Sequence, residues 1–177
     1  MRSVTRSKDD KAFDRLVQRG PNYDYELGDR YVVAPMVGRP HAALQASIIA
    51  ILLSHFGADR VTAPTNLGVL GRKGRRWYVV PDVVVFPSGA DSDDRASLHA
   101  VLAIEICSPN EDPAKKLADY RTVMERSGLV VEEVWYVNGA ELTVHPGAAH
   151  VPGDSAHPAA LAAIRLAVTN FAAGRQG

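Results

Sequence analysis

The sequence predicts an α/β (α+β) fold in which helices flank a mixed central sheet. A helix with an apolar stripe follows a short hairpin pattern, several β-rich segments fill the middle, and a second helix is followed by another hairpin. The chain of 177 residues is long enough to bury a core and shows no internal repeat. We therefore expect a single domain over residues 1–177, with the polar residues 1–8 disordered.

Composition limits the classes of function. A hydrophobic content of 46% with 23% charged residues is typical of a globular protein. Lysine plus arginine equals aspartate plus glutamate at 20 each, which argues against a protein that coats nucleic acid but allows a locally basic groove. The single cysteine, Cys107, excludes an internal disulfide and a cysteine-based zinc site. Without a membrane-length apolar run or a secretory signal pattern, we expect a cytoplasmic protein with no membrane partner.

The first half of the chain gives a hairpin and a long helix. In "YDYELGDRYVVAP", two short β-rich runs surround a turn at Gly28 and Asp29. In "HAALQASIIAILLSHFG", Pro40 suits the first turn of a helix and Gly57 suits its end. The predicted apolar stripe of this helix consists of Leu44, Ile48, Ile51 and Leu52.

The second half predicts the sheet. "RVTAPTNLGVL" and "WYVVPDVVVF" are expected to be successive strands around the basic turn "GRKGRR". A strand from Val101 to Cys107 precedes a helix from about Pro113 to Arg126, for which Asp112 is the expected cap. "VEEVWYV" and "AELTVH" form a predicted hairpin around Asn138 and Gly139, and the alanine-rich tail contains a final helix.

Two predicted strands each carry one acid within an apolar run, Asp82 and Glu105. A buried carboxylate is costly unless something compensates its charge. One divalent cation would compensate both, because hard cations prefer oxygen ligands. The alternative is that each acid lies at a strand end and reaches solvent or an arginine.

The neighbours of the two acids sharpen this prediction. Pro81 cannot donate to a sheet ladder, so the strand around Asp82 is expected to be bulged or at an edge, where the aspartate could instead face solvent. In the next strand, alternation predicts that Val101, Ala103 and Cys107 share the face of Glu105. For Cys107 itself, the favoured interpretation is a small buried apolar residue.

Of the two lysines that follow, Lys116 is the better candidate to reach the site. Leu117, Tyr120 and Met124 form the predicted core-facing stripe of the helix, and Lys116 lies on its flank. Lys115 points roughly opposite to Leu117. Helix geometry alone still favours a surface lysine whose aliphatic stem packs on the protein.

These residues resemble a known nuclease pattern. Pro81-Asp82 followed by Glu105 in an apolar strand is similar to the PD-(D/E)xK nuclease superfamily. The finer resemblance, over roughly residues 23–145, is to its Uma-two family of restriction endonucleases. The matching segments are Pro81-Asp82, Glu105-Ile106-Cys107-Ser108-Pro109, Asp112, Lys116, Tyr120, Gly128 and Glu133-Val134-Trp135, with a helix opening at His41 upstream.

The resemblance implies a restriction-endonuclease-like fold and a metal-dependent endonuclease that hydrolyses phosphodiester bonds of DNA. Asp82 and Glu105 would hold Mg²⁺ or Mn²⁺, and Glu26 is a candidate third acid. Lys116 would orient or deprotonate the attacking water, or stabilise the phosphate. His41 is a weaker candidate, since a helix-start hydrogen bond is its commoner role.

Some features depart from the superfamily pattern. The superfamily lysine normally stands two residues after the glutamate, where this chain has Cys107, so Lys116 would have to supply that role from the following helix. The alternatives are an inactive nuclease-fold binding or regulatory module, and a phosphoesterase acting on RNA or nucleotides. A homodimer is expected from the family and from the need to cut two strands.

Overall fold

A computed structural model describes residues 26–27, 32–33, 39–63, 67–70, 76–90, 98–107 and 111–174. Its helices are α1 (Arg39–Phe56), α2 (Pro113–Ser127) and α3 (Pro158–Gly174). Its strands are β1 (Glu26–Leu27), β2 (Val32–Val33), β3 (Val61–Thr62), β4 (Leu67–Leu70), β5 (Arg76–Val79), β6 (Val83–Val85), β7 (His99–Ile106), β8 (Val130–Asn138) and β9 (Glu141–Pro146). The predictions for residues 1–8 and for the tip of the basic turn lie outside the described residues.

The central sheet has five strands in the order β3-β6-β7-β8-β9. The pair β7–β8 is parallel, and the other neighbouring pairs are antiparallel, so the sheet is mixed. Two small hairpins, β1–β2 and β4–β5, pair separately. This arrangement confirms the predicted α+β class with helices on a mixed sheet.

The two faces of the sheet bury different cores. On one face, α1 and α3 pack on side chains that include Val83, Ile104 and Trp135. On the other face, α2 and the β4–β5 hairpin pack on side chains that include Val84, Ala103 and Val134. Successive residues of a strand point to opposite faces, so the chain position of a strand residue tells which core it joins.

The sequence explains why α1 and α2 begin and end where they do. In α1 the predicted stripe packs on the sheet, with Ile48 fully buried, and Gly57 ends the helix at φ 91°. In α2 the Asp112 carboxylate accepts a hydrogen bond from the Ala114 backbone N–H at 2.9 Å, and Gly128 ends the helix at φ 75°. These caps fix the position of α2 over the sheet.

Three local predictions are wrong. The run "WYVVPDVVVF" is not one bulged or edge strand but two strands, β5 and β6, in different sheets, because the chain leaves the ladder around Pro81. Val101 packs with Leu102 instead of on the Glu105 face, since the β7–β8 pairing skips Val101 and the alternation shifts there. The hairpin turn predicted at Asn138 and Gly139 lies one residue later. The β8–β9 register makes Gly139 and Ala140 the two loop residues, with Gly139 at φ 62°.

None of the helices in the described part of the chain is both long enough and apolar enough to cross a membrane.

Candidate active site

Asp82 occupies the break between β5 and β6, and three groups hold it there. Its Oδ2 accepts a hydrogen bond from the Ile106 backbone N–H at 2.7 Å, and its Oδ1 lies 3.0 Å from His41 Nε2. Gln45 Nε2 donates to the Asp82 backbone carbonyl at 2.7 Å. Because Pro81 has no N–H and the ladder stops there, side chains replace the missing strand contacts and fix the direction of the carboxylate.

The strand register brings Asp82 beside Glu105. Val83 pairs with Ile104 in the antiparallel β6–β7 ladder, so one further step places Asp82 opposite Glu105. Glu105 faces α2, because its neighbours Ile104 and Ile106 both join the core under α1 and α3. Asp82 precedes β6, and its carboxylate contacts His41 of α1 and the Ile106 backbone N–H. The two acids therefore lie at the same end of neighbouring strands, and both carboxylates are near enough to Cys107 to raise the pKa of its thiol.

Glu105 is 5% exposed and makes two polar contacts with α2. The Tyr120 hydroxyl donates to Glu105 Oε1 at 2.6 Å, and Lys116 Nζ lies 3.4 Å from Oε2. The spacing of these two α2 residues explains the pair of contacts, since residues four apart lie on the same side of a helix. The Asp112 cap positions the first turn, from which Lys116 reaches inward.

Lys116 and Lys115 have different environments. The Lys116 side chain is 11% exposed and contacts Glu105, whereas Lys115 is exposed. The aliphatic stem of Lys116 is thus buried and its ammonium group lies against a carboxylate, which is the position that the sequence hypothesis requires. Its catalytic role stays a prediction.

Cys107 stands where the superfamily pattern has its lysine. It is partly exposed, and burial raises the pKa of its thiol to about 12. A thiol with such a pKa stays protonated at neutral pH, so it can replace neither the charge nor the proton chemistry of a lysine. Among the described side chains, Lys116 is the lysine that contacts Glu105.

His41 lies in the first turn of α1. Its hydrogen bond with Asp82 raises the pKa of the imidazole above its usual value of 6.5, although burial acts in the opposite direction. The histidine therefore does form a helix-start hydrogen bond, but its partner is a site acid. Gln45, one helical turn later, contacts the backbone of the same residue. Together the two side chains tie the start of α1 to Asp82.

The metal hypothesis depends on the available ligands. The Glu26 side chain lies outside the described residues, although the backbone of its strand is seen in β1. Among the side chains that the structure describes, no three histidine, cysteine, aspartate or glutamate groups are placed to hold one ion. Mg²⁺ commonly binds through one or two carboxylates and keeps several waters, so the oxygen donors of Asp82 and Glu105 fit its chemistry.

Sequence reasoning missed several members of this site. Gln45 was assigned no role, and Tyr120 was expected to contribute to the core without a contact to Glu105. Glu111 is exposed, but its charge lies near enough to raise the pKa values of His41 and Cys107. Tyr136 was not noticed, although strand alternation after Trp135 would have placed it on the face of Glu105.

These observations define an α+β protein with two acids and a lysine at one end of its mixed sheet. The chain belongs to the Uma2 family, whose model, described as "Putative restriction endonuclease", matches residues 10–153. A solved structure from Anabaena variabilis ATCC 29413, titled "a putative nuclease belonging to DUF820", is similar with a TM-score of 0.60 and 13% identity, covering 90% of this chain and 97% of that one. At that identity the likeness shows the fold. No match was found among curated proteins.

Proposed function

We propose that this protein is a metal-dependent DNA endonuclease of the PD-(D/E)xK type. The observation that carries the proposal is the position of Lys116 Nζ, 3.4 Å from the carboxylate of Glu105, with Asp82 one register step across the sheet. Two acids and a cation at one end of the sheet match the charges needed around a phosphodiester under attack by water. Membership of the Uma2 family supports a nuclease.

Asp82 and Glu105 would hold Mg²⁺ or Mn²⁺, which supplies charge neutralisation at the phosphate and activation of water. His41 and the Ile106 N–H fix the direction of the Asp82 carboxylate, and Tyr120 fixes that of Glu105. These contacts preorganise the acids before substrate binds, which avoids an ordering cost during the reaction.

Lys116 acts on the reacting groups as a cation held at the edge of the carboxylate pair. Its ammonium group stabilises negative charge on the phosphate oxygens or orients the attacking water, whereas the neutral amine form would take up a proton from that water. The new bond joins the water oxygen to phosphorus, the P–O ester bond breaks, and the leaving oxygen receives a proton. A homodimer with one such site in each subunit would cut both strands of a duplex.

Cleavage of plasmid DNA tests the proposal. Wild-type protein should nick or linearise the plasmid with Mg²⁺ or Mn²⁺ and be inactive with a chelator. Asp82→Asn should lower the rate by about a hundredfold or more, since a metal ligand contributes several kcal/mol to transition-state stabilisation. Asp154→Asn, an exposed aspartate in the loop before α3, is the matched control and should retain activity.

A binding or regulatory module is the second candidate. The observation that favours it is Cys107, a protonated thiol at the position where the superfamily pattern has its lysine. Such a module would bind DNA without cutting it, and its affinity would not depend on the metal. Inactive wild-type protein across both metals, with DNA binding unaffected by Asp82→Asn, would replace the endonuclease proposal with this one.

A further inference from the structure

A row of polar side chains crosses the sheet at the level of the two acids. The register pairs Glu105 with Tyr136 in the parallel β7–β8 ladder, and Tyr136 with Thr143 in the antiparallel β8–β9 ladder. On the β6 side of Glu105, one further step of the register leads to Asp82. Neighbouring strands lie about 4.8 Å apart, so the Cα atoms of Tyr136 and Glu105 are about that far apart.

The members of this row that belong to strands, Glu105, Tyr136 and Thr143, point to the α2 face. Trp135 and Val137, on either side of Tyr136, join the core under α1 and α3, so Tyr136 must point the other way. Leu142 and Val144 place Thr143 on the same face by the same argument. The row is thus a polar edge on the core formed by α2, and it extends the carboxylate pair over two further strands.

The hydroxyls of Tyr136 and Thr143 differ in their partners. The Thr143 hydroxyl lies 3.1 Å from His145 Nε2, and the opposite ring nitrogen of His145 lies 2.9 Å from the Ala149 carbonyl. A carbonyl can only accept, so Nδ1 donates to it and, in the neutral ring, Thr143 donates to Nε2. The Thr143 hydroxyl is therefore satisfied within the fold.

The Tyr136 hydroxyl has no such partner. The residue is 2% exposed, and its buried hydroxyl forms no hydrogen bond with a nitrogen or oxygen in the described part of the chain, so that its polar neighbour is the thiol of Cys107, a weak hydrogen-bonding group. An unsatisfied buried hydroxyl costs free energy, so its retention beside a candidate active site calls for an explanation. Burial raises the pKa of the phenol above its usual range, so the group keeps its proton and can donate.

We propose that Tyr136 is a further catalytic residue, whose hydroxyl donates a hydrogen bond to an oxygen of the phosphodiester bound beside Glu105. The assignment rests on the proposed function and adds to it a neutral donor on the side of Glu105 away from Asp82. The thiol of Cys107, which is partly exposed, lies next to this hydroxyl. A bound phosphate oxygen would satisfy the phenol, and the free protein carries the cost of leaving it unsatisfied.

Tyr136→Phe tests this assignment because it deletes the hydroxyl and keeps the ring. Without metal or DNA, the variant should melt at the same temperature as wild type or higher, since only a weak interaction with the Cys107 thiol is lost and a buried hydroxyl without a nitrogen or oxygen partner is removed. In single-turnover cleavage of a short DNA duplex with Mg²⁺, its rate should fall about ten- to a hundredfold, the loss expected for one hydrogen bond to a charged oxygen.

Thr143→Val is the matched control from the same row. It removes a hydroxyl that is already satisfied, so it should lower the melting temperature of the free protein and leave the single-turnover rate unchanged. If Tyr136→Phe instead melts lower and cleaves normally, the hydroxyl has a structural partner and the assignment fails. Wild-type protein that neither binds nor cuts the duplex overturns the proposed function itself, and the assignment with it, before any variant is compared.

Discussion

Two glutamates on neighbouring strands of the same sheet are buried to the same extent but on opposite faces. Glu105 on β7 is 5% exposed and Glu133 on β8 is 4% exposed. Glu105 faces α2, while Glu133 lies on the face of Trp135, under α1 and α3. Burial alone therefore does not distinguish the two carboxylates.

Their partners do. Glu133 accepts hydrogen bonds from Trp135 Nε1 at 2.6 Å, from Ser155 Oγ at 2.7 Å and from the Ala156 backbone N–H at 2.6 Å. These three donors are neutral and belong to the fold, and two of them come from the segment that leads into α3. Neutral donors distributed over both oxygens satisfy a buried carboxylate and fix the chain around it.

Glu105 instead meets a lysine ammonium at 3.4 Å and lies beside a second acid, Asp82. A carboxylate that shares its surroundings with another carboxylate and a cation is suited to a ligand that carries charge. The chemistry of a buried acid therefore depends on the charge of its neighbours and not on its burial alone. Glu133 is a structural anchor for the start of α3, and Glu105 is the candidate for function.

The largest effects are expected when each of the two glutamates is replaced in turn by a neutral residue. Glu105→Gln should lower metal-dependent DNA cleavage by about a hundredfold or more while the melting temperature changes little, because the amide oxygen can still accept from Tyr120. Plasmid nicking and calorimetry on the same samples measure both effects.

Glu133→Gln should do the reverse. The carboxylate accepts hydrogen bonds from groups that the amide NH₂ of glutamine would instead meet as a second donor. We therefore expect a loss of about 1–3 kcal/mol in the free energy of unfolding. The folded fraction should cleave DNA normally. Urea denaturation measures the loss. If Glu133→Gln abolished cleavage at full stability, the division between anchor and functional acid would be wrong.

A second experiment sharpens the role of the cation on the Glu105 side. Lys116→Met keeps most of the buried aliphatic stem but removes the ammonium group, so cleavage should fall about ten- to a hundredfold. Lys115→Met, at the exposed neighbouring position, should cleave like wild type. Equal activity of the two variants would remove Lys116 from the mechanism.

The smallest expected effect concerns the contact between His41 and Asp82. The pKa of His41 is raised in the folded protein, so the stabilisation from this pair is complete below the unfolded value near 6.5 and is lost as the pH rises through the folded value. The wild-type protein should therefore gain up to about 1 kcal/mol between about pH 8.5 and about pH 6 relative to His41→Gln. Urea midpoints at the two pH values measure this, and parallel pH curves for both proteins would contradict it.

Much of the fold could be predicted from local patterns. The stripe from Leu44 to Leu52, the Asp112 cap and the β8–β9 hairpin each result from spacing or from a residue with a strong conformational preference, although the turn of that hairpin lies one residue later than predicted. The division of the strand at Pro81 could not be placed, because proline only forbids a ladder contact and does not say which sheet each half joins.

The candidate site divides in the same way. The sequence identified Asp82, Glu105 and Lys116 as acids and a cation in unusual positions, since a charge in an apolar run or on the flank of an apolar stripe is visible without a structure. It did not identify Gln45 or Tyr136, because the residues that each of them approaches are distant in the chain.

The sequence by itself determined the elements, their order and the acids that needed compensation, since these follow from local periodicity and from the cost of buried charge. Only the tertiary structure decided which charges meet. The β6–β7 register set Asp82 beside Glu105, the parallel pairing of β7 with β8 added Tyr136, and the packing of α2 brought Lys116 to within 3.4 Å of Glu105. Strand register and helix packing are long-range relations, and local spacing in one chain does not fix them.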